Sequence, residues 1–191
     1  MRTLTKGYDK VTVSIDKKNV ITDVGGAWIK SAATAYSLGA LHPKKIIGKP
    51  IENFLGGDVT QMYYDALFKI CRLKQATITR QYRCDSPTHQ RFMQVTLSPE
   101  QDNSVAMLHE TLKEIPFKNS VTVTDINSEV NHTIKKYLKR CSICNRLLNP
   151  MTNKWEFPEE INQDAPVDVF VIHTVCPDCK EKNWISSYRK S

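Results

Sequence analysis

Two pairs of cysteines near the end of the chain constrain its folding more than any other feature. Each pair has a two-residue spacer, and the four residues are Cys141, Cys144, Cys176 and Cys179. Thiolates are soft ligands, and four of them close a tetrahedral site of the structural kind, without an open position for a substrate water. The spacing therefore predicts one structural Zn²⁺ site built from both pairs.

Disulfide bonds and thiol redox chemistry are the two alternatives to zinc binding for these cysteines. Disulfides need an oxidising compartment, but the chain begins with MRTLTK and has no apolar stretch of the kind found in a signal peptide. We therefore expect a cytoplasmic protein with reduced thiols. A thioredoxin-type site needs a CxxC motif that opens a helix in a βαβ setting, and the pattern around these pairs is different. A reversible thiol/disulfide switch stays a third hypothesis.

The net charge of +7 and the pI of about 9.1 bear on the class of partner. A basic surface attracts phosphate, so a nucleic-acid-binding regulator with a zinc ribbon is the alternative hypothesis. The charge is spread along the chain, however, with 16 Lys and Arg against 11 Asp and Glu in residues 1–116, and 11 against 9 in residues 117–191. Such a distribution favours a solvated surface over a phosphate-binding patch. The sequence also lacks an apolar run long enough to span a membrane, so we expect no membrane partner.

The first 116 residues predict an α+β domain. Val11, Val13 and Ile15 alternate with polar residues, which indicates a strand, and a second strand follows a polar turn. Apolar residues at helical spacing predict a long helix over residues 59–73, and residues 27–35 favour another helix. Three more strands are predicted at residues 77–84, 91–97 and 104–112. Short connections make consecutive strands antiparallel, so we expect a five-stranded antiparallel sheet with helices on one face.

The rest of the chain is divided at the cysteines. We predict a partly helical connector over residues 117–140, with a helix from about Asp125 to Leu138, although Val121 and Val123 alternate with threonines as in a strand. The zinc module covers residues 141–191, and residues 167–175 form a strand that delivers its second cysteine pair.

Three stretches of the first domain resemble the PAS family of sensory domains. They are VSIDKKNVI at residues 13–21, IGKPIENFL at residues 47–55, and YRCDSP at residues 82–87 together with RFM at residues 91–93. The resemblance implies a sensory or interaction domain within residues 1–116. Many family members have an asparagine after the second strand, where this chain has Gly25 and Gly26.

The cysteine region is similar to a zinc-binding extension that follows PAS and receiver domains in bacterial signalling proteins. CSICNR at residues 141–146, Trp155, and VIHTVCPDC at residues 171–179 occur in the same order as in that extension. The resemblance implies a bacterial signal-transduction protein whose output is a contact with a protein partner or a second copy of the chain.

Several other residues are candidates for a functional role, but each also has a simpler structural interpretation. Trp28, Phe54, Tyr82 and Met93 are candidates for lining a small-molecule pocket, but they could as easily fill it, and a packed core is the preferred interpretation. His109 lies on a predicted strand, where a haem ligand would be sought, although a core histidine is commoner. His173 is close enough to the second cysteine pair to be considered as a ligand, but four thiolates already complete the site. Cys71 and Cys84 are interpreted as small apolar residues.

The motifs of hydrolases, kinases and P-loop enzymes do not occur in the sequence. We therefore expect a non-catalytic sensor protein with a structural zinc module. The identity of any PAS ligand is open at this point.

Overall fold

A computed structural model describes residues 10–29, 42–86, 88–118, 121–125, 137–161 and 167–184. The chain divides into two compact units. The first comprises Met1–Leu55, Asp65–Gln81 and Arg91–Glu114, and the second comprises Gly56–Tyr64, Tyr82–Gln90 and Ile115–Ser191. The division does not follow the order of the chain, because Tyr82–Gln90 belongs to the same unit as the four cysteines.

The first sheet has five strands: β1 Lys10–Ile15, β2 Ile21–Gly26, β3 Ile78–Arg83, β4 His89–Pro99 and β5 Val105–Pro116. Their spatial order is β2-β1-β5-β4-β3, and β1 pairs antiparallel with both β2 and β5. This confirms the predicted α+β class and its five-stranded antiparallel sheet. The last two strands extend beyond the predicted residues 91–97 and 104–112.

The turn between β1 and β2 is stabilised by one carboxylate. Asp16 Oδ1 accepts hydrogen bonds from the backbone N–H groups of Lys18 at 2.8 Å and Val20 at 2.9 Å. The bond from Val20 is the main cause that lowers the pKa of Asp16. Asn19 has a positive φ of 62°, a conformation that asparagine tolerates well. On the strand itself, the predicted alternation buries Val13 and Ile15.

Gly25 and Gly26 continue β2 to its end, where they pair with Thr12 and Val11. Gly26 has a φ of +65°, and a Cβ atom there would lie 2.2 Å from the carbonyl oxygen of Lys10. Only glycine fits this close approach of the two strands, which explains its presence.

The longest described helix is α2, Asp58–Lys74, preceded by the short α1, Pro43–Ile46. One face of α2 is buried through Tyr64, Leu67, Phe68 and Cys71, at the spacing expected for an amphipathic helix. Arg72 donates hydrogen bonds of 2.8 Å to the carbonyl oxygens of Asn103 and Asp16, so the end of the helix is tied to two turns of the sheet. In the described part of the chain, the helices are too short or too polar to span a bilayer.

The second sheet also has five strands: β6 Val121–Asp125, β7 Leu138–Cys141, β8 Leu147–Asn149, β9 Lys154–Glu156 and β10 Val167–Thr174. Their order is β6-β10-β7-β8-β9. β10 runs parallel to both β6 and β7, whereas β7, β8 and β9 form antiparallel pairs. The described residues near this sheet in the sequence also form two short helices, α3 Pro158–Ile161 and α4 Pro177–Trp184.

Two predicted helices fall largely outside the described residues. The connector helix was expected from about Asp125 to Leu138, but Asp125 ends β6, Leu138 begins β7, and residues 126–136 are not described. The helix predicted over residues 27–35 is not described beyond residue 29. The domain boundaries at residues 116 and 140 stay a prediction, although β6 and most of β7 lie within the predicted connector.

We expect Phe68→Ala to lower the free energy of unfolding by about 3–5 kcal/mol, because it removes a ring that is 1% exposed from the core. The matched control is Leu73→Ala on the same helix, whose side chain is 84% exposed; its effect should stay within about 0.5 kcal/mol. Urea unfolding followed by far-ultraviolet circular dichroism measures both. Equal midpoints for the two variants would contradict the assigned core.

Candidate metal centre

The four predicted cysteine ligands lie together. Their Sγ atoms are all within 4.8 Å of one another, and Cys144 Sγ is 3.8 Å from Cys176 Sγ. A tetrahedral zinc ion with sulfur ligands at about 2.3 Å requires sulfur–sulfur distances of about 3.8 Å. The cluster therefore has the donor set and the size that suit such an ion.

Parallel pairing of β10 with β7 brings the two cysteine pairs together. In this register Thr174 lies opposite Cys141, so both strands end at the same edge of the sheet. The chain then continues into the first cysteine turn after β7 and into the second after β10. A hydrogen bond of 2.8 Å from the backbone N–H of Ser142 to the carbonyl oxygen of Thr174 joins the two turns.

The first cysteine turn connects β7 to β8. The N–H of Cys141 donates to the carbonyl oxygen of Arg146 at 2.8 Å, and the N–H of Asn145 donates to the carbonyl oxygen of Cys141 at 3.0 Å. Asn145 has a φ of 63°, which turns the chain back into the hairpin. The side chain of Cys144 thereby points to the same sulfur cluster as Cys141.

The second pair lies at the start of α4. Cys176 precedes the helix, Pro177 is its first residue, and Cys179 follows within the first turn. The backbone N–H of Cys176 also donates to Cys141 Sγ at 3.4 Å. The positive end of a helix dipole and such N–H donors both stabilise negative charge on sulfur.

The thiols of the cluster strongly affect one another. Hydrogen bonds from Cys144 and Cys179 hold the pKa of Cys141 far below its usual range. The contact with Cys141 raises the pKa of Cys144 to about 12, and contacts with Cys141 and Cys144 raise the pKa of Cys179. One ionised sulfur thus opposes ionisation of its neighbours, and a divalent cation is the group that would allow all four to be thiolates.

The remaining cysteines and His173 are not part of the sulfur cluster. Cys71 is buried on α2, as expected for a small apolar residue, whereas Cys84 is half-buried after β3. His173 is half-buried on β10, where its Nδ1 lies 3.4 Å from Ser142 Oγ. It therefore neighbours the first cysteine turn without belonging to the four-residue set.

The four residues predicted to line a pocket are all half-buried. Trp28 follows β2, Phe54 ends a 3-10 turn at Ile51–Phe54, Tyr82 lies on β3, and Met93 lies on β4. Met93 Sδ accepts a hydrogen bond from Thr111 Oγ1 at 3.1 Å, which fixes its position against β5. A small-molecule pocket at these residues stays a prediction.

No protein-family model and no curated protein matches the chain. The chain is similar to a solved structure described as an RNA-binding Light-Oxygen-Voltage receptor, with a TM-score of 0.37 and 12% identity. The alignment covers 54% of this chain and 28% of the receptor chain, so this chain spans little more than a quarter of the receptor's length.

A partly buried network beside the first cysteine turn was not predicted from the sequence. It consists of Arg83, Asp85 and Glu159 and contacts Asn145, the residue after the second cysteine of the first pair. Asparagine directly after a CxxC motif was a usable signal, since asparagine tolerates positive φ and carries a side-chain amide. No comparable signal in the sequence indicated that Asp85, which follows β3, would be its partner.

The pH dependence of stability tests the environment of His109 in the first sheet. It lies on β5 opposite Val11, where burial lowers the pKa of its imidazole to about 4. An unfolded histidine has a pKa of about 6.5. Between these values the unfolded chain binds the extra proton, so this group's contribution to stability falls as pH decreases from about 6.5 to 4.

We therefore expect wild type to lose up to about 3 kcal/mol more stability than His109→Gln between pH 7 and pH 4. Urea midpoints of both proteins across this range measure the difference, in which pH effects on other groups cancel. Identical pH profiles for wild type and His109→Gln would contradict the lowered pKa of His109.

Proposed function

We propose that the chain is a non-catalytic signalling protein, in which a PAS-like sensory or interaction domain is followed by a structural Zn(Cys)₄ module. The observation that carries this proposal is the convergence of four Sγ atoms within 4.8 Å of one another. Such a cluster from two distant CxxC pairs is chemically suited to one closed metal site.

The structural role of the metal is supported by the burial and number of its ligands. Cys141 and Cys176 are buried, and Cys144 and Cys179 are half-buried. Four protein ligands fill a tetrahedron, which leaves no position for a reacting water. The ion would hold together a unit whose described strands are short, because β8 and β9 have three residues each.

The sensory role is supported by the sequence resemblance in residues 13–93 and by the fold of the first unit. A five-stranded antiparallel sheet with a long helix provides a surface for protein contacts or a small ligand. The half-buried residues Trp28, Phe54, Tyr82 and Met93 are the candidate ligand contacts. Signal output would then occur by binding of a protein partner or a second copy of the chain, in a bacterial cytoplasm.

The metal part is tested by zinc content. We expect about one zinc ion per chain in protein purified without added metal, and the same value in Cys84→Ser, because Cys84 is outside the cluster. Cys144→Ser should retain well under half of this amount after dialysis against a weak chelator, since only three thiolates remain. Inductively coupled plasma mass spectrometry of gel-filtered protein gives the ratios.

Equal zinc retention in Cys144→Ser and Cys84→Ser would contradict the assignment of the ligands. Absence of zinc from the wild-type protein, with all thiols titrating as free, would contradict the metal module itself. Circular dichroism of each sample separates loss of the ion from failure to fold.

A further inference from the structure

The segment Tyr82–Gln90 contacts the first cysteine turn directly and lies in the same compact unit. The backbone N–H of Arg83 donates a 2.8 Å hydrogen bond to the carbonyl oxygen of Ile143. Ile143 lies between Cys141 and Cys144 and is 4% exposed. One main-chain contact therefore fixes the cysteine turn from its inner side.

A second contact is made just after Cys144. Asn145 is buried, and its Nδ2 donates to Asp85 Oδ2 at 3.1 Å. Glycine would satisfy the positive φ at this position more easily than asparagine. The turn conformation alone does not require a side-chain amide. The structural role of the amide is therefore its hydrogen bond to Asp85.

Asp85 is itself held in place by a buried arginine. Arg83 Nε donates to Asp85 Oδ1 at 2.7 Å, and its two terminal nitrogens bind Glu159 of α3 at 2.9 and 3.1 Å. The Arg83 side chain is 2% exposed, and its guanidinium carbon lies 4.7 Å from the centre of the Phe157 ring. Bidentate, charge-assisted hydrogen bonds in a partly buried setting give a rigid support.

We infer that Asp85, held in place by the Arg83 side chain, is a positioning residue for the metal that acts through Asn145, while the backbone N–H of Arg83 holds Ile143 on the other side of Cys144. This inference rests on the proposed metal site. Partners that hold the ligands of a metal in place change its affinity without touching it, typically by about 10- to 100-fold. The two contacts restrain Cys144 on both sides, so loss of either should let its sulfur leave the ion more readily.

Asn145→Gly tests the inference because it removes the amide and keeps the backbone conformation. We expect zinc transfer to a chromophoric chelator to become about tenfold faster than in wild type. Asn145→Asp should be at least as fast at neutral pH, since a second carboxylate would face Asp85. The matched control is Asn153→Gly, at another positive-φ asparagine of the same unit, with a φ of 54° and an exposed side chain. It should release zinc at the wild-type rate.

Absorption spectra of the Co²⁺-substituted proteins provide an independent measure, because thiolate-to-cobalt bands report the ligand geometry. Asn145→Gly should keep four-sulfur bands with altered intensities, and Asn153→Gly should match wild type. Wild-type release from Asn145→Gly, or equally fast release from Asn153→Gly, would overturn the positioning role alone. Failure of wild type to bind zinc or cobalt would overturn the proposed metal site and the inference with it.

Discussion

The parallel pairing of β10 with β7 is the constraint on which the second unit depends. It aligns the ends of two strands that are distant in sequence, and each strand leads into a cysteine pair. β6 pairs with the other side of β10, while β8 and β9 extend the sheet beyond β7. A metal ion bound at this edge would join β7, β8, β10 and α4 through four bonds, and so stabilise a sheet of mostly short strands.

The charge of a four-thiolate site is a second constraint on this unit. Four thiolates and one divalent cation carry a net charge of −2, which is unfavourable in a partly buried site. The start of α4 and backbone N–H donors offset part of this charge. Arg146 follows the first cysteine turn and forms a 2.7 Å ion pair with Asp178. Its guanidinium carbon lies 4.9 Å from the centre of the Phe157 ring. The same ring contacts Arg83, so two cationic side chains share one aromatic surface near the cysteine turn.

Local patterns predicted the first unit well. Alternation in residues 11–15 and helical spacing in residues 59–73 identified β1 and α2 within one or two residues of their ends. The spacing of the two CxxC pairs also predicted which four cysteines lie together, and their role as metal ligands stays a proposal. In the second unit, the strand predicted at residues 167–175 corresponds to β10, but its parallel pairing with β6 and β7 was not predicted, because parallel pairing joins strands far apart in sequence and has no turn signal. The contact of Asn145 with Asp85 was missed for the same reason, as it joins residues 60 positions apart.

X-ray absorption at the zinc edge of protein purified without added metal is the decisive measurement for the four-cysteine site. We expect a single zinc environment with four sulfur neighbours at about 2.3 Å and no light-atom ligand. A shell containing nitrogen or oxygen at about 2.0–2.1 Å would contradict the four-cysteine site. Absence of a zinc signal in folded protein would contradict the metal centre altogether.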